Sequence, residues 1–142
     1  MGKELAIEWL KSAFTDIENI NYIKNIDYLT NVVSYHSQQA IEKSFKAILE
    51  FYDKEVPKTH SLIRLHNLVK DKFPSIDYKI LDDLDSLYID SRYPGDLGLL
   101  PYGKPTLEHS KNFYKFAKEV FKKACNIIGI DELEIIQIVR GK

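Results

Sequence analysis

A line of polar side chains runs along residues 34–51 at steps of three and four, which is the helical period. It brings together imidazole, amide, ammonium and carboxylate groups, in the order His36, Gln39, Lys43, Lys46 and Glu50. Such groups can bind a phosphate through charge-assisted hydrogen bonds, and an imidazole can move a proton near pH 7. The alternative is the one solvated edge of a mostly buried helix, with Glu42 and Lys46 forming a stabilising (i, i+4) pair.

A second candidate group is the histidine of the segment Pro57-Lys58-Thr59-His60. Thr59 is a good N-cap residue, so the sequence predicts a helix that begins there and carries His60 in its first turn. The positive end of the helix dipole favours a neutral imidazole at that position, able to offer a lone pair or a hydrogen bond. The alternative is a histidine that only supports the cap.

A third candidate group, Arg92 and Tyr93, lies where a predicted helix ends, because the residue before Pro94 avoids helical geometry. The pair opens a loop over 95–105 that is rich in glycine and proline and long for a small domain, and such loops are often functional. A guanidinium can bind phosphate through its planar fork, and a tyrosine ring can stack on a base. The alternative for Arg92 is a salt bridge to Asp90 or to an acid on a neighbouring helix. The glycines of the loop do not have the spacing of a phosphate-binding P-loop.

Charge is unevenly distributed in this chain of 142 residues, although its formal net charge is only −1. Residues 106–128 carry a stripe of lysines that can follow phosphates or can simply be a solvated face: Lys111, Lys115, Lys118 and Lys122. Residues 77–92 are acidic instead. We interpret these aspartates as a solvated face, because the consecutive Asp82 and Asp83 diverge by about 100° on a helix. With one cysteine and four scattered histidines, the sequence predicts no metal site and no cofactor.

The hydrophobic pattern predicts an all-α fold, an up-and-down antiparallel bundle of four to five helices over about 3–24, 28–53, 59–72, 76–92 and 106–128. The central helix has two adjoining apolar stripes, which indicates burial on a wide face. Trp9 and Cys125 are assigned to the core. Residues 1–129 form the predicted bundle domain, and the apolar tail 130–142 is a short helix or strand that docks on the bundle or on a second subunit.

The whole chain has the features of a cytoplasmic protein. Acidic residues occur too early in the N-terminal segment for a signal peptide, and no apolar run reaches the roughly 18–20 residues that span a bilayer. A single cysteine cannot form an internal disulfide, and a buried reduced thiol is typical of a cytosolic protein. We expect a soluble protein without a membrane partner.

Three stretches taken together resemble the HEPN domain, a small helical domain of prokaryotes and higher eukaryotes named for nucleotide binding. They are Gln38-Gln39-Ala40-Ile41-Glu42-Lys43-Ser44-Phe45-Lys46-Ala47-Ile48-Leu49, then Pro57-Lys58-Thr59-His60-Ser61-Leu62, and then Tyr88-Ile89-Asp90-Ser91-Arg92-Tyr93-Pro94. The resemblance covers residues from about 3 to 128.

The resemblance implies a helical bundle that pairs into a homodimer, often encoded beside a minimal nucleotidyltransferase (MNT) in toxin–antitoxin-like systems of prokaryotes. Many HEPN proteins are metal-independent RNases with an Arg-x(4–6)-His motif at the end of the fourth helix. Arg92 is where that arginine belongs, but positions 97–99 are Leu, Gly and Leu, and the nearest downstream histidine is His109. RNA cleavage by that motif depends on an imidazole that transfers the proton of the attacking 2′-hydroxyl. The sequence lacks a histidine at the spacing of the motif.

Three hypotheses follow from the residues and the resemblance. The first is a non-catalytic nucleotide-binding or partner-binding module, whose candidate ligand residues are Arg92, Tyr93, Lys43, Lys46, Gln39, His60 and His36. The second is an RNA-cleaving toxin with a displaced histidine, in which Arg92 and His60 would be catalytic. The third is a purely interactional dimeric scaffold that binds no small ligand.

Overall fold

The computed structural model describes residues 2–91 and 104–141, and within them the chain forms six α-helices and no strand. The all-α fold that the sequence predicts is therefore confirmed. A single 3-10 turn, Asp27–Leu29, joins the first two helices. The helices are α1 (Gly2–Ile23), α2 (Thr30–Phe51), α3 (Leu62–Val69), α4 (Tyr78–Ser91), α5 (Leu107–Ile128) and α6 (Glu132–Arg140).

Helix α2 is the centre of the bundle, since it packs against α1, α3, α4 and α5. Its two predicted apolar stripes are buried along most of their length, and Phe45 and Ile41 are completely inaccessible to solvent. The serines of the small-residue stripe are also buried, and Ser44 satisfies its hydroxyl by donating to the Ala40 carbonyl oxygen at 2.8 Å. Tyr52 alone departs from the pattern, because the helix ends at Phe51 and leaves this ring 38 % exposed.

The boundaries of α5 agree with two sequence signals, a threonine suited to the N-cap at position 106 and a glycine suited to end the helix at position 129. Thr106 accepts a hydrogen bond from the His109 backbone N–H, and His109 in turn accepts one from the Thr106 backbone N–H. This reciprocal capping box satisfies two N–H groups that the first turn leaves without helical partners. Gly129 ends the helix in the left-handed region at φ +83°, a conformation that glycine adopts without a steric penalty.

Helix α3 is shorter than the sequence predicts, and the assignment of Thr59 as its N-cap is wrong. Ser61 is the N-cap: its backbone is extended, and its hydroxyl accepts the Arg64 N–H at 3.2 Å. Thr59 instead accepts the Ser61 N–H at 3.2 Å within the preceding turn. His60 therefore precedes the helix, and the argument that placed it in the first turn of a helix dipole does not apply.

The C-terminal tail, which the sequence left open between helix and strand, forms α6 and packs against α1 and α5. Asp131 caps its first turn by accepting the Leu133 N–H at 3.0 Å. Ile135 is completely buried under it. Near its end Arg140 forms a two-point ion pair with Glu18 of α1, with Nη2 and Oε1 at 2.9 Å, and this pair lowers the pKa of Glu18.

The side chains assigned to the core occupy it in two different ways. Cys125 is fully buried, and burial raises the pKa of its thiol to about 12. Trp9 is only half-buried: its ring packs on the core, while its indole N–H donates to Glu50 at 3.3 Å. None of the helices in the described ranges combines the length and apolar character that crossing a bilayer requires.

We predict that Ile135→Ala destabilises the protein by about 2–4 kcal/mol, because it leaves a cavity between α6 and the bundle. The matched control is Ile138→Ala on the same helix, where the side chain is 52 % exposed and the change should stay within about 0.5 kcal/mol. Urea denaturation measures both. Equal effects would show that α6 does not share the core of the bundle.

Candidate functional site

One buried carboxylate organises the polar line of α2. Glu42 is 4 % exposed, and it accepts a hydrogen bond from the Lys46 ammonium group at 3.1 Å. Its other oxygen lies 2.9 Å from Nδ1 of His60 and 3.2 Å from Nε2 of Gln38. Burying a charge is costly unless it is paired and hydrogen-bonded, and here the ammonium and the other donors supply both. We call Glu42, Lys46, His60, Gln38 and Gln39 the Glu42 cluster.

The two glutamines of this cluster connect α2 to the chain before α3. Gln38 is completely buried, and its amide donates to the His60 carbonyl oxygen at 2.7 Å as well as to Glu42. Gln39 donates to the Gln38 side-chain oxygen at 2.7 Å. His60 is thus held at its backbone and at Nδ1, while Nε2 has no partner among the described residues and about half of the side chain is exposed.

A second carboxylate, Asp16 of α1, holds the other half of the polar line. It is 7 % exposed, and its two oxygens each lie 2.8 Å from a side chain of α2, Nδ1 of His36 and Nζ of Lys43. The two acids, Asp16 and Glu42, therefore balance the two lysines of the line. Both ammonium groups are engaged with carboxylates and contribute little net positive charge to this surface.

Four rings form a row beside these clusters. Tyr88 of α4 lies between Tyr35 and His60, with ring centroids 5.9 Å and 5.1 Å away and interplanar angles of 11° and 29°. His36 meets Tyr35 edge-on at 5.3 Å. The ring row therefore spans α2, α4 and the chain before α3, and it joins the Glu42 cluster to the Asp16 pair. We call the Glu42 cluster, the residues Asp16, His36 and Lys43, and the rings of Tyr35 and Tyr88 together the polar edge.

Asp85 fixes the start of α3 from the neighbouring helix α4. Its carboxylate accepts the Leu62 N–H at 2.7 Å, the Ile63 N–H at 3.3 Å and the Ser61 hydroxyl at 3.2 Å. Burial raises the pKa of Asp85 above its ordinary value, although these three donors act to lower it. The interpretation of all the α4 aspartates as a solvated face is therefore wrong for Asp85, since it caps a helix and thereby positions His60.

The structure brings five of the seven candidate residues to the polar edge: His36, Gln39, Lys43, Lys46 and His60. The plain interpretation of a solvated edge fails for Lys46, which is 6 % exposed. Arg92 and Tyr93 lie outside the described residues. Among the residues that the structure does describe, no group of three or more His, Cys, Asp or Glu side chains is arranged to hold a metal ion.

Sequence reasoning missed the groups that hold these candidates in place, namely Asp16, Gln38, Asp85 and the rings of Tyr35 and Tyr88. Two of them carried a readable signal. Asp16 falls beside Ala13, Ile17 and Ile20 on the apolar face of α1, and Gln38 precedes Ile41 and Phe45 by helical steps. A polar residue inside an apolar stripe must find a partner when it is buried.

The family model of the HEPN domain matches residues 6–128. The chain belongs to the HEPN family. The polar edge therefore lies on a HEPN domain, a kind of domain that is generally related to nucleotides or RNA. Comparison with curated proteins gave no significant match, and comparison with solved structures gave none either.

Within this HEPN domain, His109 lies far from the spacing of the RNase motif and has a local structural role. Its Nδ1 accepts the Thr106 N–H at 2.9 Å in the capping box of α5, and its ring stacks against Phe113 with centroids 6.2 Å apart. The capping role accounts for a histidine at this position.

We predict that Asp85→Ala costs about 1–2 kcal/mol of stability, because it removes the acceptor for the first N–H groups of α3. Asp85→Asn keeps a side-chain oxygen and should cost less. Asp82→Ala is the matched control on the exposed side of α4 and should change stability by less than about 0.5 kcal/mol. Thermal denaturation compares the three variants, and a ranking in which Asp82→Ala costs as much as Asp85→Ala contradicts the capping role.

The raised pKa of Asp85 also predicts a pH dependence. The folded state holds the Asp85 proton more tightly than the unfolded state, for which the ordinary value is 3.8. Stability of the wild type relative to Asp85→Asn should therefore fall as pH rises from about 3.8 through the raised pKa, and stay constant above it. Denaturation at a series of pH values tests this, and an opposite slope contradicts the dominance of burial.

Proposed function

We propose that this HEPN domain is a non-catalytic module that binds a nucleotide or a short RNA at the polar edge. The observation that supports this proposal most directly is the placement of His60. Buried Glu42 holds Nδ1 of His60, the imidazole ring stacks on Tyr88, and Nε2 is left for a ligand. Tyr88 belongs to α4, whose last residue, Ser91, directly precedes Arg92 in the sequence. A hydrogen-bonding imidazole suits a base, and an arginine suits a phosphate.

Each candidate residue has a distinct role in this proposal. Arg92 binds the phosphate through its planar fork, and Tyr93 stacks on the base or donates its hydroxyl. His60, Gln39 and His36 offer hydrogen bonds from the exposed side of the polar edge. Lys43 and Lys46 keep Asp16 and Glu42 in place, because their ammonium groups are already paired with these acids at 2.8 Å and 3.1 Å.

The lack of catalysis in this proposal rests on the sequence after α4. Positions 97–99 are Leu, Gly and Leu, so the spacing of the family's RNase motif contains no histidine. His109, the next one, serves the capping box of α5. An imidazole that already accepts the Thr106 N–H through Nδ1 is poorly suited to act as a proton carrier for a distant phosphate.

The partners in this proposal come from the family resemblance. The module acts as a cytoplasmic homodimer beside an MNT-type nucleotidyltransferase, in a toxin–antitoxin-like pair. A nucleotide site on the HEPN domain fits such a pair, because both proteins would then handle the same class of ligand. If the protein is instead an interactional scaffold, its complex with the nucleotidyltransferase forms, but the wild-type protein binds no nucleotide.

One observation favours a second candidate function, RNA cleavage with His60 as the displaced histidine. The Glu42–His60 contact of 2.9 Å resembles the carboxylate–imidazole pairs that orient a general base. In that reaction Nε2 takes the proton of a 2′-hydroxyl, and the resulting oxygen attacks the adjacent phosphorus. The 5′-oxygen then leaves with that proton, which gives a 2′,3′-cyclic phosphate and a 5′-hydroxyl, while Arg92 offsets the added charge.

We predict that calorimetric titration with ATP, GTP or a short RNA detects binding to the wild type, and that Arg92→Ala weakens it by about 10- to 100-fold. This range corresponds to the loss of charged hydrogen bonds worth about 1.5–3 kcal/mol. The matched control is Arg64→Ala, an exposed arginine of α3 that should leave binding unchanged.

The same titrations separate the three hypotheses. No binding by a correctly folded dimer contradicts the nucleotide site and supports the scaffold. Cleavage of the RNA that both Arg92→Ala and His60→Ala abolish, with unchanged thermal stability, replaces the non-catalytic proposal with the RNase. Binding that Arg92→Ala and Arg64→Ala affect equally places the site elsewhere.

A further inference from the structure

A groove separates α4 from α5 on a side of the bundle that the polar edge does not use. Both helices pack on α2, and between them lies a cavity of about 910 Å³. Its walls and floor include the apolar side chains of Ile76, Ile80, Phe113, Phe116 and Val120. A groove of this volume with an apolar floor is large enough for several planar rings.

The two walls of the groove differ in how their charges are satisfied. On the α4 wall, Asp83 pairs with Lys79 at 3.2 Å, and Asp77 accepts the backbone N–H groups that begin the helix. On the α5 wall, Lys115 and Lys122 are exposed and have no carboxylate partner among the described residues. The α5 wall also carries Glu119, but the unpaired lysines still outnumber it. The groove therefore attracts an anion, and it does so along α5.

The lysines extend too far for a single phosphate group. Lys111, Lys115, Lys118 and Lys122 follow one another at steps of four, three and four residues, so the row is about 16 Å long at 1.5 Å per residue. All four are exposed, and Lys115 and Lys122 line the groove itself. Lys118 instead lies with Nζ 4.1 Å from the centroid of the Tyr114 ring, on the side of α5 that faces α1 and α6, so Lys111, Lys115 and Lys122 are the lysines available to a strand in the groove. A row of separate cations on one helix matches a chain of phosphates, and an adjacent apolar groove matches bases that are not paired.

We propose that the groove between α4 and α5 binds single-stranded nucleic acid, with the sugar–phosphate backbone on the α5 lysines and the bases against the apolar floor. The backbone lies on the α5 side because the lysine of the α4 wall, Lys79, is already paired with Asp83. A duplex does not fit, because its bases face each other and cannot reach the floor. This site is separate from the polar edge, because none of the described residues that line the groove belongs to the polar edge.

Fluorescence anisotropy with labelled eight-nucleotide oligo-U and oligo-dT tests the proposal between 50 and 200 mM salt. With three phosphate contacts, at Lys111, Lys115 and Lys122, affinity should fall about 18-fold over this range, from a slope of about 0.7 per contact on single strands. In the triple variant Lys111→Gln, Lys115→Gln, Lys122→Gln, which removes these contacts, affinity should hardly change with salt. Binding at 50 mM salt should be at least 10-fold weaker than in the wild type.

The matched control changes three exposed lysines away from the groove, Lys3→Gln, Lys58→Gln and Lys70→Gln, with the same change of net charge. It should bind like the wild type with the same dependence on salt. Equal weakening in the two triple variants overturns the proposal, as does a wild type that does not bind at 50 mM salt. Thermal melts of both variants establish that folding is unchanged.

Two further ligands test the position of the bases and the class of ligand. An abasic oligonucleotide of equal length should bind at least 10-fold more weakly, because it cannot fill the groove. Equal binding of the abasic strand overturns the assignment of the groove to bases. An acidic octapeptide that binds as tightly as oligo-U overturns the assignment to nucleic acid. ATP is too short to follow the lysine row, so its loss of binding in Arg92→Ala reports on the polar edge alone. The oligonucleotide measurements repeated in the Arg92→Ala background report on the groove, and there the lysine variant and the abasic strand should weaken binding by the same factors.

Discussion

The carboxylate of Glu42 is the group on which the polar edge of this protein depends. It lies on the central helix almost out of reach of solvent, where an unpaired negative charge would be expensive. Lys46 supplies the counter-charge at 3.1 Å, and Gln38 and His60 supply further hydrogen bonds. These partners come from α2 itself and from the chain before α3, so satisfying one buried acid fixes the relation between two parts of the fold.

Two further carboxylates, those of Asp16 and Asp85, connect neighbouring helices in the same way. Asp16 ties α1 to α2 through His36 and Lys43, and Asp85 ties α4 to the start of α3. Asp85 holds the chain one residue after His60, while Glu42 holds His60 itself. The imidazole is thus positioned from both sides, and the Tyr88 ring supports it from α4. A pre-positioned group of this kind loses little further freedom when a ligand binds.

The sequence predicts those parts of the structure that depend on residues close together in the chain, and it fails where a contact from another helix decides. The helices of the bundle, the caps at Thr106 and Gly129, and the burial of the α2 stripes follow from hydrophobic period and capping chemistry. The N-cap of α3 could not be chosen correctly, because Thr59 and Ser61 are equally good capping residues and Asp85 decides between them from another helix. Helix α6 was ambiguous because a short apolar segment suits a helix and a strand equally well.

The same distinction between local signals and contacts between helices applies to the candidate site. The sequence predicts that His36, Gln39, Lys43 and Lys46 share one side of α2, because helical spacing fixes this. It does not reveal that the lysines are engaged with Asp16 and Glu42, since those contacts depend on how far the helices and side chains approach one another. Among the described residues, Lys115 and Lys122 of α5 are exposed and have no carboxylate partner, but as a bare pattern the α5 lysines are indistinguishable from a solvated face.

A double-mutant cycle on Glu42 and Lys46 tests whether this ion pair organises the polar edge. The free energy of unfolding is measured for Glu42→Gln, for Lys46→Met and for the double variant, beside the exposed pair Glu8→Gln and Lys11→Met as a control. We expect a coupling of about 1 kcal/mol or more for the buried pair, because each single change leaves a buried charge without its counter-charge. We expect less than about 0.5 kcal/mol for the exposed pair. Additive effects at Glu42 and Lys46 would contradict the claim that this ion pair organises the polar edge.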